Sequence, residues 1–597
     1  MPHLQARPIH LAILLWGIIS VLTLTGRAEP IDRLVLTGPD DYIRLLRVEQ
    51  VLETGSWSNP RLERVNPPTG ISLHWSPLAD APLVAMTALA SLFTDQKSAI
   101  RVALMVTPLL GLLLLFVIAT WAGGWLFGTP GAWMAPVSVL FAEAVVGQLI
   151  PGRIDHHGIQ VLLNFVLAIS CIGIVRGPSR LWPLVAGLAT GLTLAIGLES
   201  MPYVGAFFAS LGLFWILGRD HIAQAAAVAA GSATAVSLIL LYINDPEPQY
   251  FWQACDALSG VYVMMLALVA VGWGSLAALS SKVSNPWART AAGGVAAGLI
   301  LAVFGLVFPV CLGGPYGQIP EDVRAYWLED VDEVQTAWAL LTSDPRRFLA
   351  LYLISLIGFT ASVVYLIKKG WPKDPAIPVL GIFLVIALVI AQWQIRGSTF
   401  AATFAILAAL PAFVWLYGWA ETRFGGWRRW MILGLILLVL SPLSLGMALR
   451  SIDDVIRTSR TAMGCGLPEN LEVLAGLEKG LVASSVPLGP MVLYFTEHDI
   501  VVAPYHRGID ALSKAGPLLT AQNEANARNT MAALEADYFL ICDSDVAYGM
   551  RGRAGFGPFI GTLFEGADPA WLTPVPIEND QGLLLFRVDQ NLNDGPS

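Results

Sequence analysis

Charge is what this sequence most lacks. Only 13% of its 597 residues are Asp, Glu, Lys or Arg, against 55% hydrophobic, and the mean hydropathy is +0.63. Soluble domains carry roughly 25% charged residues, so the composition excludes an ordinary soluble protein. The net charge of −9 leaves no basic footprint for a nucleic acid. Cysteine is scarce as well: there are five, with no CxxC or Cys/His zinc spacing. Cys465 and Cys542 fall near the C-terminus, where a disulfide is possible but not deducible from spacing. Internal repeats and low-complexity tracts are missing.

What the chain has instead is apolar runs long enough to cross a bilayer, which takes about 20 residues each. The first, about 10–26, resembles a signal peptide in outline but is read as an uncleaved first helix, because the remaining topology then works. A polar stretch 27–80 follows, long for a loop, and is expected to hold short helices on the membrane surface. Residues 82–93 (PLVAMTALASLF) reach only about 18 Å as a helix, so they are read as embedded without crossing. Further spans are expected at about 100–122, 131–149, 158–175, 181–198, 202–217, 222–242, 260–280, 289–308, 348–367, 376–393, 399–419 and 430–448. That makes about thirteen spans, with the two ends on opposite sides.

The distribution of Lys and Arg orients them. Arg176, Arg180, Arg219, Lys282, Arg289, Lys368, Lys369, Lys373, Arg423, Arg428 and Arg429 mark loops on one side, read as cytoplasmic. The N-terminus is then cytoplasmic. The outer face receives the 27–99 loop, the break PGRIDHHG, the long loop 309–347 and the C-terminal region. Arg153 and Arg396 break the charge rule, and both lie in outer loops that carry other polar residues. Residues 1–448 form the expected membrane domain. Residues 449–597 form an extracytoplasmic soluble α/β domain, with strand-like runs at 481–486, 499–503, 537–542 and 582–587.

Three polar clusters fall on the outer side. Asp40-Asp41 follows Gly38-Pro39; a carboxylate pair can bind a cation or take a proton, and an Asp can equally cap a helix. Asp155-His156-His157 stands at the mouth of a span, where Asp155 could serve as a cap and the histidines as interfacial residues. Glu333 lies in an acid-rich stretch that also holds Trp327 and Trp338. Carboxylates suit hard divalent cations, and imidazole admits Mn²⁺ or Zn²⁺. Arg396, at another span mouth, either snorkels to the interface or uses its fork on a phosphate. Glu143 and Glu199, read as intramembrane acids, keep a transporter or flippase for a lipid-linked saccharide open as the alternative. A non-catalytic assembly or sensor protein is a third class.

In this order and sidedness the motifs resemble the GT-C superfamily of membrane glycosyltransferases, and within it the oligosaccharyltransferase catalytic subunits (STT3, AglB and PglB). The likeness covers about residues 10–450. Asp40-Asp41-Tyr42 matches the first-loop Asp-x-aromatic setting. PGRIDHHGI matches the second-loop Asp-x-acid motif at Asp155, with His157 replacing the second acid. Asp330-Val331-Asp332-Glu333-Val334-Gln335 matches the fifth-loop Ser-Val-Ser-Glu type at Glu333, and Arg396 matches the late-span arginine. The family's Trp-Trp-Asp-Tyr-Gly acceptor motif is absent; YFTEHDIVVAPYHRG, 494–508, stands in its place.

The resemblance implies a polytopic, mainly α GT-C bundle and a glycosyltransferase. It would move a sugar or oligosaccharide from a polyprenyl phosphate or diphosphate to a saccharide, lipid or protein acceptor outside the membrane, inverting the anomeric centre. It implies Asp40, with Asp41 second, and Glu333 as catalytic; Asp40, Asp155, His157 and Glu333 as ligands of Mn²⁺ or Mg²⁺, with Zn²⁺ possible; and Arg396 on the donor phosphate. Tyr42, Tyr505, His506 and Arg507 are the expected acceptor-binding residues.

Overall fold

A computed structural model describes residues 6–589 apart from 58–60, 245–253, 281, 315, 318, 371–373, 443, 446–464, 466, 467, 543–555 and 578–581. The fold is mainly helical, and each predicted span falls on a helix, half of one or, at 399–419, a bent pair; 131–149 continues past the helix end at Leu140 into short helical turns, and part of 430–448 lies outside the described residues. Among the described residues, eight helices are individually long and apolar enough to cross a membrane, or nine if a bent pair counts as one span. The others fall short of that length: Leu181–Ile196 and Met201–Ile216 have 16 residues each, and Gly426–Val439 has 14. The chain is therefore an integral multi-pass membrane protein.

Two predicted spans run together in Gln96–Leu140, broken at Gly128, whose φ of 68° favours glycine. The halves fold back so tightly that a Cβ on Gly123 would meet the Gly131 carbonyl oxygen at 2.5 Å. The predicted span 399–419 is the bent pair, Gly397–Ala408 and Leu410–Arg423, meeting at 40°. The stretch expected not to cross forms a ten-residue helix, Ala81–Ala90, about 15 Å long.

The first outer loop is more ordered than a set of surface helices. Pro39–Thr54 is a sixteen-residue helix with proline at its first position, and the Gly38 N–H donates to Asp41 Oδ2 at 2.9 Å. It ends on Gly55 in the left-handed region, φ 69°. A small hairpin, Arg61–Leu62 (β1) with Ile71–Ser72 (β2), follows.

Beyond the bundle sits a five-stranded mixed sheet. Its strands are Leu481–Ser484 (β3), Asp499–Ile500 (β4), Tyr538–Cys542 (β5), Leu572–Pro574 (β6) and Leu583–Val588 (β7), in the order β4-β3-β5-β7-β6. β3 runs parallel to both β4 and β5, and β7 is antiparallel to β5 and β6. Each of the four predicted runs holds a strand; β6 was not expected, and β4 is shorter than its run. All five residues of β5 are buried, as a central strand covered on both faces requires.

The first loop is stitched to this sheet. Asn66 N donates to Ile500 O and Ile500 N to Arg64 O, both at 2.8 Å. Tyr42 packs against Tyr494 and Phe495 at 5.9 and 5.6 Å between ring centroids. Two disulfides add covalent ties: Cys465–Cys542, and Cys255–Cys311 between the loops before and after the helices Gly260–Leu279 and Pro286–Val307. The second pairing was not expected from spacing.

Candidate active site

Five segments converge where the bundle meets the sheet. The helix Pro39–Thr54 brings Asp40; the turn before the helix His157–Arg176 brings Arg153, Asp155, His156 and His157; the turn before Met201–Ile216 brings Glu199; the 309–347 loop brings Glu333; and the start of Gly397–Ala408 brings Arg396. All of these line one cavity of about 190 Å³. The four residues expected to share a metal, Asp40, Asp155, His157 and Glu333, are therefore together, with Arg396 beside them.

Arg153 joins two of the acids, its Nη2 lying 3.6 Å from Asp155 Oδ2 and 3.8 Å from Glu333 Oε1. Arg396 Nε donates to Glu333 Oε2 at 2.9 Å, and its Nη1 is 3.8 Å from Glu199 Oε1. His156 bridges the other pair: Nδ1 is 2.5 Å from Asp155 Oδ1 and Nε2 is 3.6 Å from Glu199 Oε1. The ligand atoms of Asp155, His156 and His157 lie within 4.8 Å of one another.

His157 is set up to offer a lone pair. Gln160 Nε2 donates to Gly197 O at 3.1 Å and Glu199 Oε2 at 3.2 Å, which leaves Gln160 Oε1 to accept from His157 Nδ1 at 3.2 Å. A proton on Nδ1 leaves Nε2, 3.4 Å from Asp155 Oδ2, as the ligand atom.

The carboxylates divide by environment. Burial pushes the Asp40 carboxyl up to about 7, with Asp155 and Glu333 raising it further against His156 and Arg44. Burial also disfavours the charge on Asp155, but His156, His157 and Arg153 outweigh it and hold the group well below the usual range. Glu333 is held low against its burial by Arg396, His157 and Arg153. His156 is lowered by burial, yet Asp155 and Glu199 carry it to about 9. One proton-accepting acid thus stands among charges that stay fixed near neutral pH.

Behind the cavity lies a second buried cluster. Arg44 Nη1 is 2.6 Å from Asp80 Oδ1, and Arg44 Nε is 3.5 Å from Asp155 Oδ1. Arg47 Nε is 3.4 Å from Asp80 Oδ2. Arg44 also lies 5.0 Å over the Trp75 ring.

Asp41 is engaged differently from its neighbour. Its Oδ1 accepts from Ile154 N at 2.9 Å and its Oδ2 from Gly38 N at 2.9 Å, fixing the turn that presents Asp155. Its side chain acts on backbone and is not part of the cavity wall.

Of the residues expected to bind acceptor, Tyr505 and His506 line the cavity. Tyr42 is buried away from it: the hydroxyl donates to Leu34 O at 3.2 Å and accepts from Leu36 N at 3.1 Å. His506 Nε2 and Arg507 Nε reach Asp256 Oδ2 at 2.7 and 2.6 Å, and Arg507 Nη1 donates to Leu73 O at 2.8 Å. Arg507 thereby ties the sheet unit to the 27–80 stretch through Leu73 and to the segment before Gly260–Leu279 through Asp256. Glu199, an argument for a transporter when read as an intramembrane acid, belongs to this cavity, and Glu143 is exposed. Gln160 and Trp75 were not expected in the site. His156 was read within the Asp155-His156-His157 cluster without a ligand role, and Arg153 was marked only as an arginine on the wrong side of the charge rule.

A larger cavity of about 890 Å³ adjoins the first and shares Glu199, Tyr316, Arg396 and His506 with it. Tyr203, Trp393, Phe400 and Ile390 make much of its remaining wall apolar.

No family model and no curated protein matches the sequence. Solved structures do match. The oligosaccharyltransferase AglB of Archaeoglobus fulgidus, in complex with an inhibitory peptide and a dolichol-phosphate, superposes at a TM-score of 0.64 and 15% identity, covering 97% of this chain and 74% of that one. Its apo form gives 0.64 at 16% identity over 89% and 70%. The form with zinc and sulfate gives 0.61 at 15% over 89% and 68%. The two chains share a fold.

Proposed function

We propose that the protein is a membrane glycosyltransferase. It moves a sugar or oligosaccharide from a polyprenyl phosphate or diphosphate carrier to an acceptor on the outer face, with a divalent cation assisting. The observation that carries this reading is the meeting of Asp40, Asp155, His157, Glu333 and Arg396, far apart in sequence, in one cavity continuous with a larger and largely apolar one.

Each cavity suits one part of the reaction. The large cavity offers aromatic and aliphatic walls to the first isoprene units of a carrier, and Arg396 at its junction with the small one offers a fork to the phosphate. That AglB was solved with a dolichol-phosphate supports this placement. The acceptor's nucleophilic atom, held in the small cavity, attacks the anomeric carbon. The bond from that carbon to the phosphate oxygen breaks, and its electron pair leaves on the phosphate. Asp40 orients the acceptor and takes its proton. Arg396 and Arg153 are fixed cations already in place where negative charge grows, so little reorganisation is needed.

The donor set fits a metal. Asp155 and His157 offer a carboxylate oxygen and a ready imidazole nitrogen, and Asp40 and Glu333 supply further oxygens across the cavity. A mixed O/N set favours Mn²⁺ or Zn²⁺ over Mg²⁺. When bound, such an ion would offset charge on the departing phosphate. The acceptor is a saccharide, a lipid or a protein; the missing Trp-Trp-Asp-Tyr-Gly motif weakens the case for an asparagine sequon. The plasma membrane or bacterial inner membrane, with the N-terminus cytoplasmic, fits the Lys and Arg distribution.

The test is transfer by the purified protein in nanodiscs, supplied with polyprenyl-linked sugars and an acceptor panel. The Asp40→Ala and Glu333→Ala proteins should fold and fail to transfer. Normal transfer by either one overturns the assignment.

A further inference from the structure

The wall of the small cavity opposite the acids is aromatic and carries polar atoms without partners. Trp75 and Tyr505, 3% and 2% exposed, meet edge to face at 5.1 Å. His74 adjoins Trp75 at 4.8 Å and His506 at 4.4 Å. Trp75 Nε1 and His74 Nδ1 are buried and complete no hydrogen bond in the chain, and the Tyr505 hydroxyl lies against the Asp40 carboxyl. Leaving one such atom unpaired costs about 1–3 kcal/mol, and buried polar groups in native proteins are nearly always satisfied. Two beside one cavity of about 190 Å³ mark a place built for a ligand.

The chemistry of the wall selects the ligand class. An indole N–H donates only, a phenol donates and accepts, and a neutral imidazole does one at each nitrogen. Together they match a ring of hydroxyls. Arg44 covers one face of Trp75, and the ring surfaces of Trp75 and Tyr505 that line the cavity are the part that can meet the C–H face of a pyranose. Burial and the neighbouring His506 disfavour a proton on the His74 imidazole, while the cavity's cations, Arg153 and Arg396, stand among its acids.

We infer that Trp75, His74 and Tyr505 form a subsite that seats one hexopyranose ring against Asp40 and so decides which saccharide is handled. This rests on the glycosyl-transfer reading and deepens it, because it puts sugar selection in the first outer loop and the 504–506 turn. The ring belongs either to the donor's reacting sugar or to an acceptor's terminal sugar; the recognising chemistry is the same.

Two measurements test it. Saturation-transfer NMR on the full chain in nanodiscs uses glucose, galactose, mannose and N-acetylglucosamine as probes. At least one should bind, and Tyr505→Phe, which loses only the hydroxyl, and Trp75→Phe, which loses the N–H with part of the ring system, should weaken it about fivefold to tenfold. Steady-state transfer then locates the ring. The same variants should raise KM for donor or for acceptor by a similar factor, and whichever KM moves names the substrate that carries the ring. No sugar binding by the parent protein, or unchanged binding and KM in Tyr505→Phe, overturns the subsite. Sugar binding that depends on these residues without any transfer keeps the subsite and overturns the transferase reading instead.

Discussion

Arg396 and Glu333 are joined twice: the Arg396 backbone N–H donates to the Glu333 carbonyl at 3.2 Å, and its Nε donates to Oε2 at 2.9 Å. The fifth-loop acid is thereby locked to the mouth of the span that carries the arginine. Lysine at 396 keeps the charge and the backbone bond but loses the planar fork. Arg396→Lys is expected to leave the melting temperature within about 2 °C, as for a loss of a few tenths of a kcal/mol. It should raise KM for a polyprenyl-phosphate donor about tenfold or more, as loss of a bidentate charge-assisted pair does. Donor-saturation kinetics on the purified variant give the answer, and an unchanged KM removes Arg396 from the phosphate.

Asp40 and Asp41 are adjacent in sequence and opposite in role. Asp41 accepts from Gly38 N and Ile154 N, so Asp41→Ala leaves two half-buried N–H groups without their partner and should cost about 1–3 kcal/mol. Asp40→Asn keeps volume and removes a charge that burial already opposes. It should match or exceed the parent in thermal stability and lose transfer. Thermal unfolding and transfer assays on both variants separate the roles; a stable, inactive Asp41→Ala would reverse them.

The sequence made the bundle legible because hydropathy alone decides which stretches enter a bilayer. It made Asp40, Asp155, His157, Glu333 and Arg396 legible because their order and sidedness match a known arrangement. It could not show Gln160 orienting His157, since a glutamine inside an apolar helix carries no mark of what it touches. Glu199 misled for a related reason: an acid between two short spans looks intramembrane until the turn is seen to reach the outer cavity. Asp256 with His506 and Arg507, about 250 residues apart, needed the fold itself. The exact pairing of Cys255 with Cys311 was hidden in the same way, by two spans lying between them.

The Asp256 junction predicts a dependence on acid. Burial raises the Asp256 carboxyl, but hydrogen bonds from His506 and Arg507 dominate and hold it below its ordinary value. A depressed folded-state pKa adds stability that is complete above the unfolded value of about 3.9 and declines as pH falls below it. The contact of the sheet unit with the outer loops should therefore hold at neutral pH and loosen below about pH 4. Asp256→Asn should show lower stability at pH 7 and a flatter decline under acid. Limited proteolysis and thermal melts from pH 3 to 7 measure both, and parallel acid curves for the two proteins would deny the junction this role.

His157 sets the expected metal preference. Its Nδ1 is committed to Gln160 Oε1, so Nε2 faces Asp155 and brings a nitrogen into an otherwise carboxylate set. Nitrogen favours Mn²⁺ or Zn²⁺, and an all-oxygen set favours Mg²⁺. Chelation should abolish transfer, and Mn²⁺ should restore it at lower concentration than Mg²⁺. His157→Asp should narrow that gap or invert it, because the new carboxylate restores the oxygen ligand the family motif carries at this place. Gln160→Ala should leave both metals usable but weaken each about 10- to 100-fold, as removal of a residue that orients a ligand does. Titrating each ion into the chelated proteins and following transfer decides this. Full activity without any divalent ion would end the metal's part in the reaction, and an unchanged preference in His157→Asp would take His157 out of the ligand set while leaving Asp155 in it.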